Sequence, residues 1–191
     1  HYISLFPEDV RFMAGDACAW GNIETGGALY GLWSHAGRPV IMLATPSGPT
    51  ASNEPAHFAQ DPEHLFEVNR KLQEQFGIQY LGNWHSHHSL GIDHPSSGDV
   101  EQIHRIAAKY NVSKMIQIVV TRERKSSLSA GSFFNRPEAQ TNIIHKIRCE
   151  NGVHNLNATV RILARMRINS FIYTDAKDGW FANCPVKLLG R

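Results

Sequence analysis

The stretch LGNWHSHHSLGIDHPSSGDVEQ, residues 81–102, gathers four histidines, four serines and two aspartates between an apolar run and an amphipathic one. At the end of a strand, side chains two residues apart point to the same side, so His85 and His87 can aim both imidazoles at one point. Two convergent imidazoles are half of a zinc site. Asp99 can supply a third ligand, because it opens a helix whose first turn can fold back over the strand end. Two histidines, one aspartate and a water make a catalytic zinc site with an open position. Plainer readings stay open at this point: an H-x-H in a surface loop can be solvated, and Ser96-x-x-Asp99 matches a helix-capping pattern that needs no metal. A hydrolytic zinc site also needs a carboxylate close to the metal, but not on it, to carry a proton from water to the leaving group. Glu24 of ETGGALYG is the candidate, against the alternative of a glutamate exposed at a strand end.

The elements that must position these groups follow from periodicity. Val10, Met13, Ala14, Ala17 and Cys18 have helical spacing, with Glu8 and Asp9 near the start where the helix dipole favours acids, which predicts a helix over about 8–19. ETGGALYGLW and RPVIMLATP, separated by SHAG, read as a β-hairpin of two largely buried strands. Residues 47–62 form a long Pro-, Ser-, Ala- and Asn-rich loop, a candidate substrate flap. A helix over about 62–76 presents Leu65, Val68, Leu72 and Phe76 on one face and ends at Gly77. IQYLGNW reads as the strand that enters the histidine stretch, with Trp84 packed beneath the site. After it, GDVEQIHRIAAKYN sets Val100, Ile103, Ala107 and Tyr110 on a helical stripe, and SKMIQIVVT is a buried strand. Beyond residue 122, SLSAGSFFN and NIIHKIRC read as strands. ATVRILARMRIN fits a strand through its apolar residues at 160, 162, 164, 166 and 168 and a helix through Leu163 and the Arg161/Arg165 pair, and the strand is favoured. No Gly/Ser- or Pro-rich linker divides the chain. The expected fold is therefore α/β, a single-domain mixed sheet with flanking helices, without the glycine pattern of a dinucleotide fold or P-loop.

The whole chain narrows the function. Its 191 residues suffice to bury about 70% of the unfolded surface. The 19 basic and 17 acidic residues nearly balance, which disfavours nucleic acid as the main partner, and Arg161, Arg165 and Arg167 read as a solvated basic face. Cys18, Cys149 and Cys184 are odd in number and far apart, against a disulfide framework and for a reducing, cytoplasmic setting. No apolar run approaches the roughly 20 residues of a membrane span, and no signal-peptide pattern opens the sequence.

Taken together, ETGGALYG, LGNWHSHH and PSSGD resemble the JAMM (MPN+ or JAB) metalloprotease family, whose pattern is an upstream Glu, then H-x-H, about seven residues, then S-x-x-D. The resemblance covers about residues 8–122, with 123–191 as C-terminal strands that complete or extend the sheet, and implies the JAB/MPN, cytidine-deaminase-like fold. It implies one zinc ion with a bound water, held by His85, His87 and Asp99, with Glu24 as general acid/base and Ser96 as a hydrogen-bond donor to the oxyanion. Two departures stand out. Eight residues, 88–95, separate His87 from Ser96, and His88 stands where many members have Pro. The extra histidines, His88 and His94, read as loop residues outside the ligand set. The layout looks most like bacterial stand-alone JAB proteins. It implies an isopeptidase or peptidase that cleaves the amide after the C-terminal tail of a ubiquitin-like protein, with E1-like and E2-like proteins as neighbours, in some cases in antiphage defence. The alternatives are processing of a sulfur-carrier protein, or a metal-free MPN scaffold. The scaffold reading is weakened because all five positions of the pattern are present here.

Overall fold

A computed structural model describes residues 2–87, 92–122, 166–174 and 180–190. The segments SLSAGSFFN and NIIHKIRC, residues 158–165 of the ambiguous run and His88 lie outside these described residues.

The expected mixed α/β architecture is present. The described residues form, in chain order, β1 (Ile3–Leu5), α1 (Pro7–Ala19), β2 (Gly26–Trp33), β3 (Pro39–Ala44), β4 (Ser52–Glu54), β5 (His57–Ala59), α2 (Pro62–Phe76), β6 (Gln79–Ser86), α3 (Ser97–Tyr110), β7 (Lys114–Arg122), β8 (Met166–Thr174), β9 (Trp180–Asn183) and β10 (Val186–Leu188). Eight strands form one sheet in the order β10-β1-β3-β2-β6-β7-β8-β9. Pairing is parallel for β10–β1, β1–β3 and β6–β7 and antiparallel for the rest, so the sheet is mixed. The part of ATVRILARMRIN that is described enters β8, in line with the strand reading, and pairs antiparallel with β7.

Alternation along the central strands sends side chains to two opposite layers. Leu29, Trp84, Ile116, Ile118 and Val120 pack with Val10, Met13, Ala14 and Ala17 of α1 in the main core. Ala28, Tyr30 and Met115 face the other way, under α2 and α3. Helix α2 rests on this second face through Leu65, Val68 and Leu72, and Gly77 ends it in a left-handed conformation with φ 66°. The expected stripes are only partly right: Phe76 and Tyr110 are exposed, because each sits in the last turn of its helix, past the sheet it covers. The hairpin strands differ as well. β2 is buried through Gly31, whereas β3 runs nearer the edge and leaves Met42 exposed. Asp9 does more than favour the helix dipole, because its buried Oδ1 accepts the Ala44 N–H at 2.9 Å and ties α1 to β3.

Two glycines of ETGGALYG make room for the site. A Cβ on Gly26 would lie 2.4 Å from the Trp84 carbonyl and 2.6 Å from the Phe58 ring, and one on Gly27 would lie 1.7 Å from the Thr45 carbonyl. Across Gly27 the Trp84 indole N–H donates to that same Thr45 carbonyl at 2.9 Å, so Trp84 is the packing residue expected, fully buried. Gly27→Ala is expected to destabilise the fold by about 3 kcal/mol or more, the upper end of overpacking costs. Thermal unfolding checks it, with a drop in Tm of about 6–12 °C at this chain length.

The 47–62 loop is not structureless. It carries the small hairpin β4–β5, closed at its base by Asp61. The Asp61 N–H donates to Ser47 O at 3.0 Å, and Asp61 Oδ2 accepts from Thr50 N at 3.0 Å. Its Oδ1 caps α2 by accepting from Glu63 and His64 N–H groups, and these bonds hold the carboxyl down at about 2. Turn residues hid the hairpin in sequence, because each strand is only three residues long. Among the described residues no helix is long and apolar enough to cross a membrane.

Candidate metal centre

β6 ends at the sheet rim with His85, Ser86 and His87 in succession. His85 and His87 face the α2/α3 side, and both are buried. Ser86, between them, faces the opposite way and fastens β6 to β2: Thr25 N donates to Ser86 Oγ at 3.0 Å and Ser86 N donates to Thr25 O at 2.8 Å. Thr25 Oγ1 in turn donates to Asp16 of α1 at 2.9 Å. The antiparallel pairing Gly26↔His85 therefore brings Glu24, 61 residues away in sequence, to the histidine end of β6.

The three expected ligand side chains meet. Nε2 of His85 and Nε2 of His87 are 2.8 Å apart, and each is 3.3 Å from Asp99 Oδ2. Ligand atoms about 2.0–2.1 Å from a tetrahedral zinc lie about 3.3 Å apart, so two edges of this triangle already have zinc dimensions and the third is somewhat short. The surroundings of His87 suit a metal ligand. His87 Nδ1–H donates to the Ile92 carbonyl at 3.1 Å, so the neutral ring presents its Nε2 lone pair to the centre. Two ring lone pairs and a carboxylate oxygen at these distances repel one another unless a proton or cation lies among them. The donor set thus fits a cation, and among the described residues it is the group of histidine, cysteine and acidic side chains able to hold one.

Burial alone would raise the Asp99 carboxyl, but hydrogen bonds from His85 and His87, their charge, and Ser96 hold it far below the usual carboxylate range. Burial alone would lower the His87 ring pKa, but its bond to Asp99 and the charge there raise it instead. Glu24 is 4% exposed, and burial pushes its carboxyl up to about 7, with the His87 charge pulling down and Asp99 pushing up. Its Oε1 has no hydrogen-bond partner among the described residues. Glu24, His85, His87, Ser96 and Asp99 border one cavity of about 410 Å³, whose other wall is the β4–β5 hairpin and the start of α2. A glutamate merely exposed at a strand end, the plainer reading of Glu24, is not what the structure contains.

A family profile described as prokaryotic homologs of the JAB domain matches residues 8–132. The chain belongs to this JAB-domain family. It is 33% identical over 96 residues to a protein of Sinorhizobium fredii named "Probable metalloprotease y4qB". That match covers 49% of this chain and 58% of the relative, so the chain spans little more than half of the relative's length. The solution structure of protein DSY2949 from Desulfitobacterium hafniense aligns with a TM-score of 0.61 at 17% identity, over 99% of this chain and 94% of that one, a likeness of fold alone.

In this JAB domain Ser96 is the N-cap of α3. Its Oγ donates to Asp99 Oδ2 at 2.6 Å, and Asp99 Oδ2 accepts the Ser96 N–H at 2.7 Å, so the capping pattern and the candidate ligand are one arrangement. The spacer from His87 to Ser96 holds residues 88–91, outside the described residues, and then Ile92, whose carbonyl takes the His87 proton. The three ligand side chains converge with the extra residue in place. His94 is exposed and pairs with Asp93 at 3.2 Å, away from the centre, as expected of a loop residue.

Sequence reading missed Gln117. This buried amide of β7 meets His85 Nδ1 and so sets the ring from behind. A single amide in the apolar run MIQIVV was the available signal, since a strand interior admits a polar side chain only where it finds a partner. As placed, the Gln117 NH2 faces Nδ1; ligation through Nε2 keeps a proton on Nδ1, which the same amide accepts once it presents Oε1 instead, and which an alkyl group cannot accept. Gln117→Leu is expected to weaken zinc binding by about 10–100-fold, the usual cost of losing a ligand's outer partner. Competition against a chromogenic chelator measures it.

Proposed function

We propose that this JAB domain is a zinc-dependent isopeptidase or peptidase that cleaves the amide after the C-terminal tail of a ubiquitin-like protein, in a bacterial conjugation system with E1-like and E2-like partners. The observation that carries the reading is a buried carboxylate, Glu24, poised near neutrality beside three convergent ligand side chains in one open cavity. His85, His87 and Asp99 would hold a zinc ion, which would supply Lewis acidity toward water and the scissile carbonyl.

The chain's own residues do the rest. Glu24 takes a proton from the attacking water and hands it to the leaving amine nitrogen as the C–N bond breaks, a role that needs a carboxyl titrating near the working pH. A cation in the centre would bring that carboxyl down from its metal-free position and keep it ready as a base. Ser96 serves the tetrahedral oxyanion once its hydroxyl turns from Asp99. The tail lies extended between the flap and β6. It adds to the free edge of β5, because β4 is already tied inward: Glu24 N donates to Glu54 O at 2.9 Å, and Asn53 Nδ2 donates to Glu24 O at 2.9 Å. Flap and general base are thereby held as one piece.

The test is metal analysis of the purified protein together with cleavage of ubiquitin-like proteins fused through their C termini to a reporter. One bound zinc per chain and release of the reporter, abolished by chelation and restored by zinc, is the expected result. Protein that takes up no zinc, or cleavage insensitive to chelation, overturns the proposal.

A further inference from the structure

Asn83 stands on β6 two residues before His85, on the same face, and borders the same cavity. Its amide is half committed, because the Tyr80 hydroxyl donates to Asn83 Oδ1 at 2.7 Å. Tyr80 is itself held edge-on against Tyr30, with ring centroids 6.1 Å apart, and burial keeps its phenol protonated and therefore a donor. The Asn83 oxygen is thus taken, and the end left for a ligand is the NH2 group. Among the described residues nothing accepts from it. A half-buried amide with its acceptor fixed and both donors open to a cavity is built to meet a carbonyl.

Spacing says which carbonyl. Strand residues two apart repeat at about 6.6–6.8 Å, and an extended peptide has the same repeat. A tail laid alongside β6 with its scissile carbonyl at the His85–His87–Asp99 centre places the carbonyl two residues earlier beside Asn83. We propose that Asn83, oriented by Tyr80, is a substrate-binding residue that donates to the main-chain carbonyl two residues before the scissile amide. The contact reads backbone rather than side chain, so it selects an extended peptide over a globular surface. This inference rests on the peptidase reading above and adds the substrate register to it.

Two measurements separate it from that reading. The first is fluorescence anisotropy of zinc-loaded protein with a labelled octapeptide amide of the ubiquitin C-terminal sequence, and with the same peptide carrying a methylene in place of that one carbonyl. Wild type is expected to lose about 5–10-fold in Kd on losing the carbonyl, the scale of one hydrogen bond. Asn83→Leu should bind the full peptide as weakly as wild type binds the methylene peptide, and should be indifferent to the change. Asn83→Asp, which keeps the acceptor for Tyr80 and removes the donors, is expected to behave likewise, and both variants should retain zinc. Equal carbonyl penalties in wild type and variants, or unchanged Kd in both variants, overturn the inference. The second measurement is cleavage of the full peptide by wild type. Binding that depends on Asn83 without cleavage would support the subsite and overturn the hydrolase reading, whereas cleavage with an Asn83-independent Kd would do the reverse.

Discussion

Glu24→Gln is expected to lower the rate of amide cleavage by about 10²–10⁴-fold, the range that general acid–base groups contribute, while zinc content and peptide affinity stay near wild type. Glutamine has the size and polarity of the native side chain but cannot take up or release a proton at neutral pH. The position is sensitive because Glu24 is buried beside the three ligand side chains, where burial pushes its metal-free carboxyl up to about 7. The two backbone bonds that fix it, from Glu24 N to Glu54 O and from Asn53 Nδ2 to Glu24 O, are untouched by the substitution. Neither is the cluster of ligands, since Glu24 is not among the three converging atoms. Single-turnover kinetics on the reporter fusion, with zinc measured on the same samples, checks it. A variant that cleaves within a few-fold of wild type would remove Glu24 from the proton path.

Asp99→Asn is expected to abolish tight zinc binding and, with it, chelator-sensitive activity. The loss should exceed the 10–100-fold (about) attached to an outer partner, because an anionic ligand is replaced by a neutral one between two imidazoles. The substitution also separates the two meanings of Ser96-x-x-Asp99. Asparagine keeps an oxygen for the Ser96 hydroxyl, so α3 should remain capped. Ser96→Ala does the opposite, costing about 0.5–2 kcal/mol of cap stability with the ligand set intact. Thermal unfolding with and without zinc distinguishes them. Wild type and Ser96→Ala should rise in Tm on adding zinc, since a ligand that binds only the native state stabilises it. Asp99→Asn should not move. Were Asp99 only a capping residue, Ser96→Ala and Asp99→Asn would respond to zinc alike.

Much of this was legible without coordinates because it is local. His85 and His87 share a side because a strand has period two, and Asp99 belongs to a first helical turn because Ser96 and Gly98 open an amphipathic run; neither depends on a distant residue. The α2 stop at Gly77 and the buried run of β7 are local in the same sense. Other expectations failed where a neighbour decides. Phe76 and Tyr110 have the right phase for a buried stripe but run past the sheet, and the 47–62 loop hides a hairpin whose short strands are fixed by Asp61 and by Glu24 rather than by their own pattern.

What the amino-acid order determined by itself is the set of chemical groups and the direction each takes within its element: two imidazoles, a capping aspartate, an upstream glutamate. Only the tertiary structure decided that they act on one point. The register Gly26↔His85 carries Glu24 to the rim, β7 beside β6 puts Gln117 behind His85, and the fold of α3 over the sheet sets Asp99 Oδ2 at 3.3 Å from both rings. The physical reason is that backbone periodicity orients side chains over a few residues, whereas strand order and register are settled by the burial of whole faces, Leu29, Trp84 and Ile118 on one side and Ala28, Tyr30 and Met115 on the other.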